Sequence, residues 1–227
     1  MSDPILEARH LTRTFGDFTA VDDATFSLNA GEIVGFLGPN GAGKTTTIKM
    51  LTGLLGPTSG EARIAGYDIN VNPLEAKARI GYVPDTPNLY GKLKAGEYLR
   101  FVGQLYKVPP AQVEERMRPM LDMFELTDVA GNYLDTFSHG MQQKVAIIGA
   151  FLHDPQIVFM DEPTVGLDPR SARLIKDLMI RNRNLGRTIF FSTHILEIAQ
   201  TMCDRVIIIN KGRIVADARV DELRAMR

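Results

Sequence analysis

The sequence predicts an α/β fold built on a mostly parallel sheet, and three observations carry that expectation. Five short apolar runs, at residues 33–37, 80–83, 157–160, 188–191 and 206–209, have the length and uniform hydrophobicity of strands buried on both faces. Helix-patterned segments at 43–54, 171–185 and 195–202 lie between them, and strands that alternate with helices pair in parallel. Two further regions, 5–30 and 60–70, instead alternate in polarity with turn signals, as strands of an antiparallel addition do.

The bulk numbers fit this class. The chain has 227 residues, 44% hydrophobic and 23% charged, enough for a substantial core with room for a subdomain. A net charge of −1 supplies no general basic field for nucleic acid. One cysteine, Cys203, cannot form an intramolecular disulfide, which suits a reducing compartment. The first seven residues, Met1 to Glu7, lack the charged-then-apolar pattern of a secretory signal. The longest apolar run, 145–152, falls far short of the roughly 20 residues a membrane-spanning helix needs. A soluble chain is expected, and any membrane role requires another chain to do the spanning.

Along the chain, the strand at 33–37 runs into Gly38-Pro39-Asn40-Gly41-Ala42-Gly43-Lys44-Thr45, which matches the phosphate-loop pattern G-x-x-x-x-G-K-[ST]. The glycines let successive N–H groups converge on anionic oxygens. Lys44 can supply charge to the β- and γ-phosphates of a nucleotide, and the Thr45 hydroxyl can ligate Mg²⁺. Thr46 follows in a helix whose N-terminus favours negative charge. Strand, glycine-rich loop and helix in that order are the context the motif requires.

Residues 88–153 read as a mostly helical insertion, with Pro109-Pro110 separating two segments and an amphipathic stretch at 113–124. No repeat, low-complexity tract or linker divides the sequence, so 1–227 reads as a single domain containing that helical subdomain. The strand at 157–160 ends in Asp161-Glu162, where the carboxyl ends of parallel strands hold ligands. Asp161 is placed to hold Mg²⁺ through its water shell, and Glu162 to polarise an attacking water. The strand at 188–191 leads through Ser192-Thr193 to His194, a candidate contact for the γ-phosphate and that water. His10 and His153 have no such placement and are read as structural.

Phe137-Ser138-His139-Gly140-Met141-Gln142-Gln143-Lys144 resembles the signature of ABC transporter ATP-binding subunits, usually Leu-Ser-Gly-Gly-Gln. Ser138 reads as the cap of the following helix. The order of motifs resembles that family over essentially the whole chain. Gly166-Leu167-Asp168 is similar to its D-loop and His194 to its switch histidine. The resemblance implies a P-loop ATPase fold, adenine stacking on Phe15, and head-to-tail dimers that sandwich two ATP molecules. Ser138, Gly140, Gln142 and Asp168 would then contact the ATP of the opposite subunit. It also implies a multi-span permease as partner, a location on the cytoplasmic face of the membrane, and no nucleic-acid partner.

Two positions depart from the family pattern. His139 replaces the second signature glycine, and Asp85, after Gly81-Tyr82-Val83-Pro84, replaces a glutamine but can still approach Mg²⁺ or its water. Together these features are similar to the branch that powers drug, antibiotic and lipid-type exporters. The segment from Asp85 through Asn88-Leu89-Tyr90 to the helix near 97–105 would be the docking surface. A GTPase would need Asn-Lys-x-Asp, and Asn210-Lys211-Gly212-Arg213 lacks the final acid. An ABC-type ATPase of DNA repair or translation stays open as the alternative.

Overall fold

The computed structural model describes residues 4–225; Met1, Ser2 and Asp3 of the N-terminal segment lie outside the described residues. The chain opens with β1 (Leu6–Phe15) and β2 (Phe18–Leu28), a long hairpin, followed by β3 (Ile33–Leu37) and α1 (Lys44–Leu51). Next come β4 (Ser59–Ile64), β5 (Tyr67–Asp68), α2 (Pro73–Lys77) and β6 (Ile80–Val83). The helical insertion holds α3 (Ala95–Leu105), α4 (Pro110–Met123) and α5 (His139–Phe151), with two 3-10 turns between α4 and α5. The chain then gives β7 (Ile157–Met160), α6 (Pro169–Asn184), β8 (Thr188–Thr193), α7 (Leu196–Met202), β9 (Arg205–Asn210), β10 (Arg213–Arg219) and α8 (Val220–Ala225).

Two sheets result. The smaller is antiparallel in the order β2-β1-β4-β5, as the alternating segments predict. The larger has the order β10-β9-β3-β8-β7-β6, parallel throughout except for β10. Alternate residues of its central strands feed opposite cores. Val158, Met160, Ile189 and Phe191 join the helical insertion, whereas Ile157, Phe159 and Phe190 join the antiparallel sheet. Rings cement the second core: Phe26 of β2 stacks on Phe190 at 5.9 Å, and Phe36 lies 5.1 Å from Phe190. Such pairs contribute roughly 0.5–1.5 kcal/mol beyond their buried area.

Several boundaries differ from the sequence expectation for identifiable reasons. β8 runs through Ser192 and Thr193, because Phe36 and Leu37 of β3 pair with them. α6 begins two residues early, since the Asp168 carboxylate accepts from the Ser171 N–H at 2.9 Å and Pro169 suits the first turn. The run at 145–152 is the buried interior of α5, and among the described residues no helix is long and apolar enough to cross a membrane.

β6, β7, β8 and β3 are adjacent and parallel, so their carboxyl ends share one edge. Asp85, Asp161-Glu162, His194 and the glycine-rich loop all leave the sheet there, as ligand sites of open α/β sheets require.

Candidate nucleotide site

The loop from Gly38 to Thr45 is wedged between neighbouring strands. A Cβ at Gly38 would lie 2.4 Å from the Ile209 carbonyl oxygen, so backbone approaches backbone there only without a side chain. Gly43 caps α1 at φ 106, and a Cβ there would lie 2.5 Å from the Ala20 carbonyl oxygen. Both glycines are therefore fixed by space, the second by conformation as well. The Ala42 N–H donates to Pro39 O at 3.1 Å, closing the loop.

Lys44 is buried, and its ammonium curls back over the loop. It donates to Gly38 O at 2.7 Å and Pro39 O at 3.2 Å, and pairs with Glu162 Oε1 at 3.2 Å. The Glu162 carboxylate also meets His194 Nδ1 at 3.2 Å. Glu162 thus bridges the loop lysine and the histidine, with its backbone at φ 48. Left-handed backbone at a non-glycine residue is uncommon and gathers at functional sites.

Ser192 ties the acidic pair together. Its hydroxyl donates to Asp161 Oδ1 at 2.5 Å and accepts the Glu162 N–H at 2.9 Å. Asp161 is fully buried, and its Oδ2 has no hydrogen-bond partner. Burial holds its carboxyl above the usual range, against the lowering effect of the Ser192 and Thr45 hydroxyls, with Asp85 and Glu162 adding to the rise. Burial, with the charges of Asp161 and Asp85, likewise raises the Tyr82 phenol.

A cavity of about 380 Å³ opens over this arrangement. Asn40, Gly41, Gly43, Lys44, Thr45, Thr46, Asp85 and Glu162 line it, so the structure unites the glycine-rich loop with two of the acidic residues. Gly38, Pro39 and Ala42 shape the loop from behind. The residues fit a divalent ion: a buried carboxylate oxygen without a partner beside a threonine hydroxyl is the donor set of one. Mg²⁺ takes one or two protein oxygens and completes its shell with phosphate and water. Among the described residues no cluster of three or more His, Cys, Asp or Glu forms a metal site, as that mode of binding allows.

Other expected residues stand apart. Phe15 does not line the cavity; its strand partner across the turn, Phe18, does. Ser138 caps α5, accepting the Met141 N–H at 3.3 Å. The Gln142 amide donates to Leu134 O at 2.9 Å. Asp168 is held by the Ser171 hydroxyl and N–H, which keep its carboxyl below the usual range. A Cβ on Gly140 would lie 3.3 Å from Leu167 Cδ2, so the signature and the D-loop of one chain touch. None of the four reaches the cavity of its own chain. His10 pairs with Asp23 at the surface, and His153 stacks on Tyr106 at 3.6 Å.

Ser192 and Phe18 escaped the sequence reading. A hydroxyl directly after an apolar run, at the level of the acidic pair, was the available signal for the first. Phe18 lines the cavity without any local motif to mark it.

The ABC transporter family pattern matches residues 21–165. This chain belongs to the ABC transporter family. The probable multidrug ABC transporter ATP-binding protein YbhF of Escherichia coli (strain K12) is 38% identical over 97% of this chain. The ABC chain spans only 38% of YbhF's length. The linearmycin resistance ATP-binding protein LnrL of Bacillus subtilis (strain 168) is 38% identical, over 93% of this chain and 68% of that protein. The Nod factor export ATP-binding protein I of Ralstonia nicotianae is 36% identical, over 98% and 69%. Among solved structures, an ATP binding subunit of an ABC transporter superposes with a TM-score of 0.92 at 36% identity, covering 98% of this chain and 92% of that one.

Proposed function

We propose that this chain hydrolyses ATP to drive export through a separate membrane permease, acting as a single ATP-binding domain. The observation that carries the chemistry is the convergence of Lys44, Glu162 and His194 on the glycine-rich loop beside the partnerless oxygen of Asp161. Thr45 and Asp161, with Asp85 at the rim, would hold Mg²⁺, which supplies positive charge to the β- and γ-phosphate oxygens. Lys44 holds the same phosphates. Glu162 accepts the proton of the attacking water, and His194 fixes the carboxylate's orientation at the reacting edge. General-base help of this kind contributes typically ~10²–10⁴ in rate.

Ser138, Gly140, Gln142 and Asp168 lie outside the lining of the chain's own cavity, which suits contact with the ATP of a second, head-to-tail subunit. A groove of about 290 Å³ beside the site is lined by Leu89, Tyr98, Val102, Leu105 and Tyr106. Leu105, with Tyr90 nearby, is well exposed. This surface is where a permease would dock, placing the subunit on the cytoplasmic face of the membrane. Export is favoured because the named relatives are described by drug resistance and Nod factor export. Those descriptions give the repair or translation alternative no support.

Glu162→Gln tests the reading. ATP turnover is expected to fall about 10²–10⁴-fold while ATP binding persists and a dimer accumulates in light scattering. Turnover at the unmodified rate would remove Glu162 from its role. Affinity purification from native membranes should recover a multi-span protein; ribosomes or DNA in its place would restore the alternative.

A further inference from the structure

His139 stands where the family signature has a glycine, and the structure shows what its side chain meets. It is the first residue of α5 and is exposed. Beside it runs the loop of residues 162–168, which follows β7 and ends at the Asp168 cap of α6. A Cβ built on Gly166 would lie 3.8 Å from His139 Cδ2. Among the described residues, no other atom beyond its chain neighbours would come within 4 Å of that Cβ. The imidazole is thus what backs the loop at Gly166, and a residue without a ring at 139 would leave that side open.

Two neighbouring contacts continue the seam. A Cβ on Gly140 would approach Leu167 Cδ2 to 3.3 Å, and Leu167 and Met141 pack against the same core. Further along α5, the Lys144 charge adds to the Ser171 hydrogen bonds in holding the Asp168 carboxyl below its usual range. Positions 139, 140 and 144 of one helix therefore face 166, 167 and 168 in order. The loop also leads back to the acidic pair, because the Val165 N–H donates to Glu162 O at 3.1 Å. Gly166, at φ 75, supplies the turn but brings no side chain to fix it, so the fixing comes from outside the loop.

We propose that His139 is a positioning residue for turnover by the ATP-bound dimer, a wedge that sets Gly166, and with it the 162–168 loop, against the start of α5. This rests on the head-to-tail reading, in which Ser138 and Gly140 on one side of the seam and Asp168 on the other reach one nucleotide of the second subunit. Groups that must meet one ligand together lose least on binding when their separation is fixed beforehand. The ring acts by contact and not through a proton, since the atom nearest Gly166 is a carbon.

Hydrogen exchange and dimerisation test the proposal in the full chain. His139→Ala, which keeps the helix and removes the ring, is expected to raise amide exchange across residues 164–168 while ADP affinity in calorimetry stays unchanged. The same change should weaken the ATP-dependent dimer in the Glu162→Gln background, and lower turnover where Glu162 is kept, each by about twofold to thirtyfold, the range that a lost coupling contact gives. His139→Phe, which keeps a ring at the seam, should restore the protection, the dimer and the turnover. Exchange that does not rise in His139→Ala overturns the proposal, as does unaltered dimerisation or turnover. A His139→Phe chain that behaves like His139→Ala overturns it too, in favour of a polar role for the imidazole. In these cases the head-to-tail reading stands. A Glu162→Gln chain that binds ATP without dimerising overturns both.

Discussion

At the scale of the residue, the Ser192 hydroxyl couples Asp161 to Glu162 by donating to one and accepting from the other. Ser192→Ala leaves Asp161 Oδ1 buried without that donor, and an unsatisfied buried acceptor costs about 1–3 kcal/mol. That loss is expected in denaturant titration. Because the lost hydrogen bond favours the anion, the Asp161 carboxyl rises further. The acid limb of Mg²⁺-dependent nucleotide binding should then move to higher pH in the variant. His153 carries a second prediction. Burial lowers its imidazole from 6.5 to about 4, against the raising effect of Ile80 O. The unfolded chain therefore takes up this proton first, and stability falls as pH drops from about 6.5 towards 4. One pKa unit corresponds to about 1.4 kcal/mol. His153→Gln should show a flatter stability profile across that window in thermal scans.

At the scale of the element, α3 and α4 pack closely at Gly103. A Cβ at Gly103 would stand 2.4 Å from Val113 Cγ2. Gly103→Ala is expected to cost about 1–3 kcal/mol through overpacking, read as a lowered Tm. Adding Val113→Ala should recover part of the loss, since the two changes share one contact. The elements most legible in the sequence were β3, β6 and β7, whose burial on both faces makes their hydrophobicity continuous. β10 was not, because half-buried and exposed positions alternate along this edge strand, from Arg213 to Arg219, and none is buried. The short α2 also escaped; five residues give no periodicity to read. The candidate site followed the same division. Residues of local motifs, Lys44 and Asp161-Glu162, were readable where the chain names them consecutively. Ser192 meets Asp161 through the pairing of β7 with β8, which brings together residues distant in sequence.

At the scale of the molecule, the six-stranded sheet shares its side chains between two cores. Phe190 faces the antiparallel sheet while its neighbours Ile189 and Phe191 face the helical insertion. Neither core can loosen without disturbing strands the other uses, so unfolding by denaturant is expected to be one transition. Phe190→Ala should lower stability by about 3–5 kcal/mol, with far-UV dichroism and tyrosine fluorescence moving together. Separate midpoints for the two signals would show that the cores are independent.

The left-handed backbone of Glu162 sets stability against turnover. Glycine sits at φ 48 without the penalty of roughly 1–2 kcal/mol that a side chain brings there, and asparagine is tolerated better than glutamate. A library selected for heat resistance alone should therefore enrich glycine or asparagine at position 162, discarding the carboxylate proposed to polarise water. Position 162 is where evolution for endurance and evolution for work part company in this chain.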